Sequence, residues 1–118
     1  MSNNFFGISV DCTDAASLAR FWGAVLDRQL ANGATTEDAV LLAGDEANAG
    51  PRLAFHHVPE TKVVKNRLHL DLITTDFDAE TERLVSLGAK KLRQVQSADT
   101  HWTTFVDIEG NEFDLIAG

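Results

Sequence analysis

Four side chains near the ends of two extended segments are the ones whose types and spacing suit chemistry. His69 and Asp71 stand two residues apart, and so do Glu112 and Asp114. Residues i and i+2 of a strand share a face, so all four can line one side of a sheet. Clustered carboxylates raise one another's pKa, and an imidazole among them can hold a proton. Such a group can serve as general acid or base toward a carbonyl compound. A purely structural arrangement competes with this: Asp71 and Glu112 at an open rim, fully solvated or paired with Arg67 or Arg52, and His69 bonded to a neighbouring carboxylate. His101 and Trp102 alternate faces, so one of them lines a binding surface while the other packs. A tryptophan wall favours a planar or cationic ligand. Lys62, Lys65 and Arg67 form a basic patch that can pair with an anionic substrate group or stay solvated.

Other chemistries are excluded. The 118 residues carry 10 Lys and Arg against 18 Asp and Glu, a net charge of −8. Such a balance repels phosphate backbones, so nucleic acid is not an expected partner. No phosphate-cradling glycine loop, paired-cysteine zinc motif or serine-nucleophile motif is present. No apolar run approaches the roughly 20 residues that span a bilayer, and the first residues lack the pattern of a secretory signal. Cys12 is the single cysteine. It has no basic sequence neighbour to activate it, reads as a small buried side chain, and fits a reducing, cytoplasmic setting.

The elements that must position these residues come in two similar sets. Phe6, Ile8 and Val10 alternate with Gly7, Ser9 and Asp11 as a strand. A helix follows from a cap at Thr13 or Asp14, with Leu18, Phe21, Trp22, Val25 and Leu26 on its apolar stripe. Strands are expected near 28–31, 39–43 and 51–58. In the last of these Leu53 and Phe55 face the helix, leaving Ala54 and His56 on the opposite side. Residues 59–66 read as a linker. The pattern then restarts: a strand over 67–74, a helix opened by a Thr75–Asp78 capping box and closed at Gly88, and strands near 90–95, 101–107 and 112–116. Aligning Asp14 with Asp76 pairs Ile8 with Leu70 and Val10 with Leu72. Two βαβββ modules result, residues 5–58 and 67–118, within one 118-residue domain.

This order of elements, together with Val10-Asp-Cys-Thr-Asp14, Phe21-Trp22, Leu68-His-Leu-Asp-Leu72 and Asp107-Ile-Glu-Gly-Asn-Glu-Phe-Asp-Leu115, resembles the glyoxalase/bleomycin-resistance/dioxygenase (vicinal oxygen chelate) superfamily. It is most similar to the small glyoxalase-like proteins of actinobacteria. The resemblance implies an α+β fold in which the two modules form curved mixed sheets around a shared cavity, with helices on the outer face, and a homodimer. It implies metal ligands at the start of the first strand and in the last strand of each module: His69 and Asp114 in the second, with His56 available as a third. Gly7 stands where the first module would supply its ligand, so a complete four-ligand site is absent. One divalent ion (Fe, Mn, Ni, Co or Zn) and no metal at all are both compatible with that set. Ser9, Asp11, His56 and Trp102 are the expected substrate-pocket residues, and His69, Asp71, Glu112 and Asp114 the catalytic ones. Two functions follow from the resemblance. One is a lyase, isomerase or dioxygenase acting on a small oxygenated metabolite. The other is a non-catalytic binder that sequesters a small molecule or drug, which the charge of −8 would help if the ligand is cationic.

Overall fold

The computed structural model describes residues 2–118 and divides into two compact units, residues 1–61 and 62–118. In the first unit, β1 (Gly7–Cys12) leads into α1 (Ala15–Leu26), followed by β2 (Asp38–Leu41) and β3 (Arg52–His57). The sheet order is β1-β3-β2, with β1 parallel to β3 and β2 antiparallel to it. Asp14 caps α1, its carboxylate accepting from the Ser17 backbone N–H at 3.1 Å. These hydrogen bonds hold the Asp14 pKa below its ordinary value. Leu18, Phe21, Trp22 and Val25 are buried, as the helical spacing requires, and so are Leu41, Leu53 and Phe55.

The second unit repeats the plan. It contains β4 (Asp71–Thr74), α2 (Phe77–Leu87), β5 (Lys90–Gln96), β6 (His101–Val106) and β7 (Glu112–Ala117). The sheet order is β4-β7-β6-β5, with β4 parallel to β7 and the other neighbours antiparallel. Its core is built on Leu84, Phe105, Phe113 and Leu115, with the Phe105 and Phe113 rings stacked 5.5 Å apart. The turn into β7 is closed by the buried Asp107 carboxylate, which accepts from the backbone N–H of Glu109 and of Asn111. Gly110 supplies the positive φ of 87° that this turn needs.

The α+β class and the paired plan agree with the sequence, while several element boundaries differ from it. The strand expected over 28–31 is reduced to a single bridge, Leu30 to Leu41, so the first sheet has three strands where four were expected. β4 begins at Asp71, not at Arg67, and Leu68, within the expected strand, is 84% exposed. The α2 cap is Asp76, accepting from Ala79, in place of Thr75. Of α2 only Leu84 is fully buried, and Val85 beside it is exposed. No helix of the described residues is long and apolar enough to cross a membrane.

Candidate functional site

The two faces of the second sheet differ in kind. Phe105, Phe113 and Leu115 are buried in the core, and the His101 ring packs edge-on against Phe77 of α2 at 4.6 Å. Strand alternation therefore puts Trp102 and Thr104 of β6, and Glu112 and Asp114 of β7, on the face away from the helix. Trp102 thus lies on the face away from the helix and His101 on the packing side. Across this face runs one row of register partners: Asp71 opposite Asp114, Asp114 opposite Thr104, and Thr104 opposite Arg93.

His69 joins the row from the segment before β4. Its Nδ1 lies 2.8 Å from Asp71 Oδ1 and 3.9 Å from Asp114 Oδ2. Residues 67–70 form no strand, yet they are held against β7. The Asp114 N–H donates to the Leu70 carbonyl at 3.0 Å. The Asn66 side-chain amide accepts from the Glu112 N–H at 2.8 Å and donates to the Glu112 carbonyl at 3.1 Å. An amide side chain thus does what a backbone pair does in a ladder, and it fixes the approach to His69.

Thr104 completes the cluster. Its buried hydroxyl donates to Asp114 Oδ1 at 2.5 Å, leaving Oδ2 as the oxygen nearer His69. One ligand atom from each of His69, Asp71 and Asp114 lies within 4.8 Å of the others. One imidazole and two carboxylates at that spacing fit a borderline divalent ion such as Mn, Fe or Zn.

Glu112 stands beside this cluster and is engaged by two cations. Arg93 donates to Glu112 Oε1 at 3.0 Å, and Lys65 Nζ lies 3.4 Å from the same oxygen. Burial of the Glu112 carboxyl works to raise its pKa, but the hydrogen bonds and charges of Arg93 and Lys65 outweigh that and hold it below the ordinary value. The partners are therefore Arg93 and Lys65, where the sequence suggested Arg67 or Arg52. Arg93, Thr104 and Asn66 were all missed by sequence reasoning.

The equivalent row of the first unit holds no imidazole or carboxylate. Ser9 pairs with Ala54 and Ala54 with Val40, in the places that Asp71, Asp114 and Thr104 hold in the second unit. Gly7 stands where His69 does. A Cβ there would lie 2.6 Å from Arg52 Cγ and 2.8 Å from the Arg52 carbonyl oxygen, and the Arg52 guanidinium in turn covers the Phe6 ring at 4.5 Å. In the next row of that sheet Asp11 is opposite His56 and His56 opposite Asp38. His56 Nδ1 is 2.8 Å from Asp38 Oδ1. Ser9 and Asp11 are exposed on β1.

Residues 7–116 match the family model described as a glyoxalase-like domain. No curated protein sequence matches the chain. Solved structures share the fold at low identity. FosX, the fosfomycin resistance protein of Listeria monocytogenes, is 16% identical with a TM-score of 0.78 over 100% of this chain and 92% of that one; an E126Q mutant of it was crystallised with Mn(II) and 1S,2S-dihydroxypropylphosphonic acid. FosX of Mesorhizobium loti is 19% identical with a TM-score of 0.74, covering 100% and 94%. A glyoxalase/bleomycin resistance protein/dioxygenase family enzyme of Burkholderia phytofirmans PsJN is 14% identical with a TM-score of 0.71, covering 92% and 94%.

Proposed function

Because the chain belongs to the glyoxalase-like domain family, we propose that it is a metal-assisted enzyme, of the lyase, isomerase or dioxygenase kind, acting on a small oxygenated metabolite. The observation that carries this is the convergence of His69, Asp71 and Asp114 within 4.8 Å. In this reading Asp71, rather than His56, is the third donor. The ion would supply positive charge to polarise a substrate oxygen.

The chain's own residues do the rest. Thr104 fixes the Asp114 carboxylate. Glu112 stays ionised at neutral pH and orients Arg93 and Lys65, instead of moving a proton. Two cations sharing one carboxylate leave this end of the face locally positive in an acidic protein, which suits a substrate bearing an anionic group as well as the oxygen directed at the cluster. Trp102 offers an aromatic surface on the same face. In this reading the protein works in the cytoplasm as a homodimer, with Cys12 buried and its thiol directed at the His56 carbonyl.

The test is Mn(II) titration by calorimetry, with elemental analysis of protein purified without chelator. Wild type should bind about one ion per chain, and His69→Ala should lose that binding while keeping its circular dichroism spectrum. No uptake by wild type, or full retention by His69→Ala, would overturn the reading. A sequestering binder is the second reading, favoured by the row Gly7, Ser9 and Ala54 in the first unit, which has no imidazole or carboxylate. It requires a bound small molecule to be recovered chemically unchanged from the protein.

A further inference from the structure

We propose that Thr104 is a positioning residue that makes Asp114 a one-oxygen ligand, and so sets which divalent ion the cluster accepts. The inference rests on the metal reading above and adds a residue that reading does not require. Its basis is the division of labour between the two Asp114 oxygens. Oδ1 accepts a hydrogen bond from the Thr104 hydroxyl, oxygen to oxygen 2.5 Å, in the range of a charge-assisted bond, while Oδ2 is turned to His69. The hydroxyl cannot easily leave. Thr104 is buried, it is the register partner of Asp114, and an ionised carboxylate offers it an acceptor and nothing else.

With Oδ1 so occupied, Asp114 offers an ion one oxygen. Calcium takes six to eight oxygens and commonly uses both atoms of a carboxylate. Manganese, iron and zinc accept mixed nitrogen and oxygen sets of lower number, which His69, Asp71 and a one-oxygen Asp114 can begin to fill. The Thr104 hydrogen bond to Asp114 therefore biases the site against calcium before the substrate arrives. The first sheet provides the matching negative: the Thr104 position is held there by Val40, and the Asp114 position by Ala54, which has no carboxylate to fix.

Val40 also suggests the variant. Thr104→Val keeps the shape of the side chain and removes the hydroxyl. Mn(II) affinity should fall on the order of 10-fold or more, while Ca(II) affinity should hold or tighten as Oδ1 is freed. The ratio of the two dissociation constants must shift; a packing defect alone would weaken both ions alike. Thr104→Ser, which restores the hydroxyl, should return both values to near wild type. If Thr104→Val does not fold, Thr104→Ala makes the same comparison.

An unchanged Mn(II) affinity in the folded variant, an unchanged ratio, or a failure of Thr104→Ser to recover would overturn the assignment and leave the metal centre standing. Absence of Mn(II) uptake by wild type would overturn both together.

Discussion

Gly7 and Arg52 are register partners on parallel strands, and the Arg52 backbone carbonyl occupies the space that a Cβ on residue 7 would need. A side chain at position 7 therefore cannot be introduced without displacing that carbonyl. We expect Gly7→His to lower stability by roughly 1–3 kcal/mol without raising Mn(II) affinity. Gly7→Ala should share most of the loss, because the conflict lies at Cβ and not at the imidazole. Denaturant unfolding and calorimetry check both statements. A Gly7→His protein of wild-type stability and tighter metal binding would refute them.

Glu112 should titrate below its ordinary value of 4.5, because Arg93 and Lys65 hold its charged form. A depressed native pKa means that its contribution to stability is present above the unfolded value and is lost as pH falls through the native one. Carbon-13 NMR of the Glu112 carboxyl should show a midpoint that rises in Arg93→Gln. An unmoved midpoint would mean that Arg93 is not the group responsible.

Thr103 is fully buried on the helix side of β6, and its hydroxyl has no hydrogen-bond partner among the described residues. A buried, unsatisfied hydroxyl costs more than the methyl that would replace it. Thr103→Val should raise stability by about 1 kcal/mol, seen as a higher midpoint of urea unfolding. A drop in that midpoint would show that the hydroxyl has a partner.

Much of this was legible in the sequence because burial imposes a period. Leu18, Phe21, Trp22 and Val25 announce α1, and the phase of Phe113 and Leu115 places Asp114 on the opposite face. Where one face is not buried, the period fades. Arg28–Ala31 and Arg67–Leu70 carry strand-like residues, yet the first keeps a single bridge, and the second is held by the Asn66 amide and the Leu70 carbonyl without becoming a strand. The cluster was half visible. His69, Asp71 and Asp114 are types that suggest chemistry, whereas Thr104 reads as an ordinary strand residue until its hydroxyl is seen on a carboxylate. Arg93 was hidden by its strand: Lys90–Gln96 is polar almost throughout, so alternation says nothing about which face it shows.

That same strand carries an irregularity between Lys91 and Arg93. Lys91 is opposite Phe105 and Arg93 is opposite Thr104, so Leu92 is one residue more than β6 has to match. In a regular ladder, losing a residue turns every later side chain to the other face. Here the loss of Leu92 would leave each pairing on both sides of it in place. The strand can thus be shortened by one residue at this point without disturbing the row that ends at Asp71. A deletion, ordinarily the most damaging change a strand can suffer, would at Leu92 restore a regular ladder beside the site.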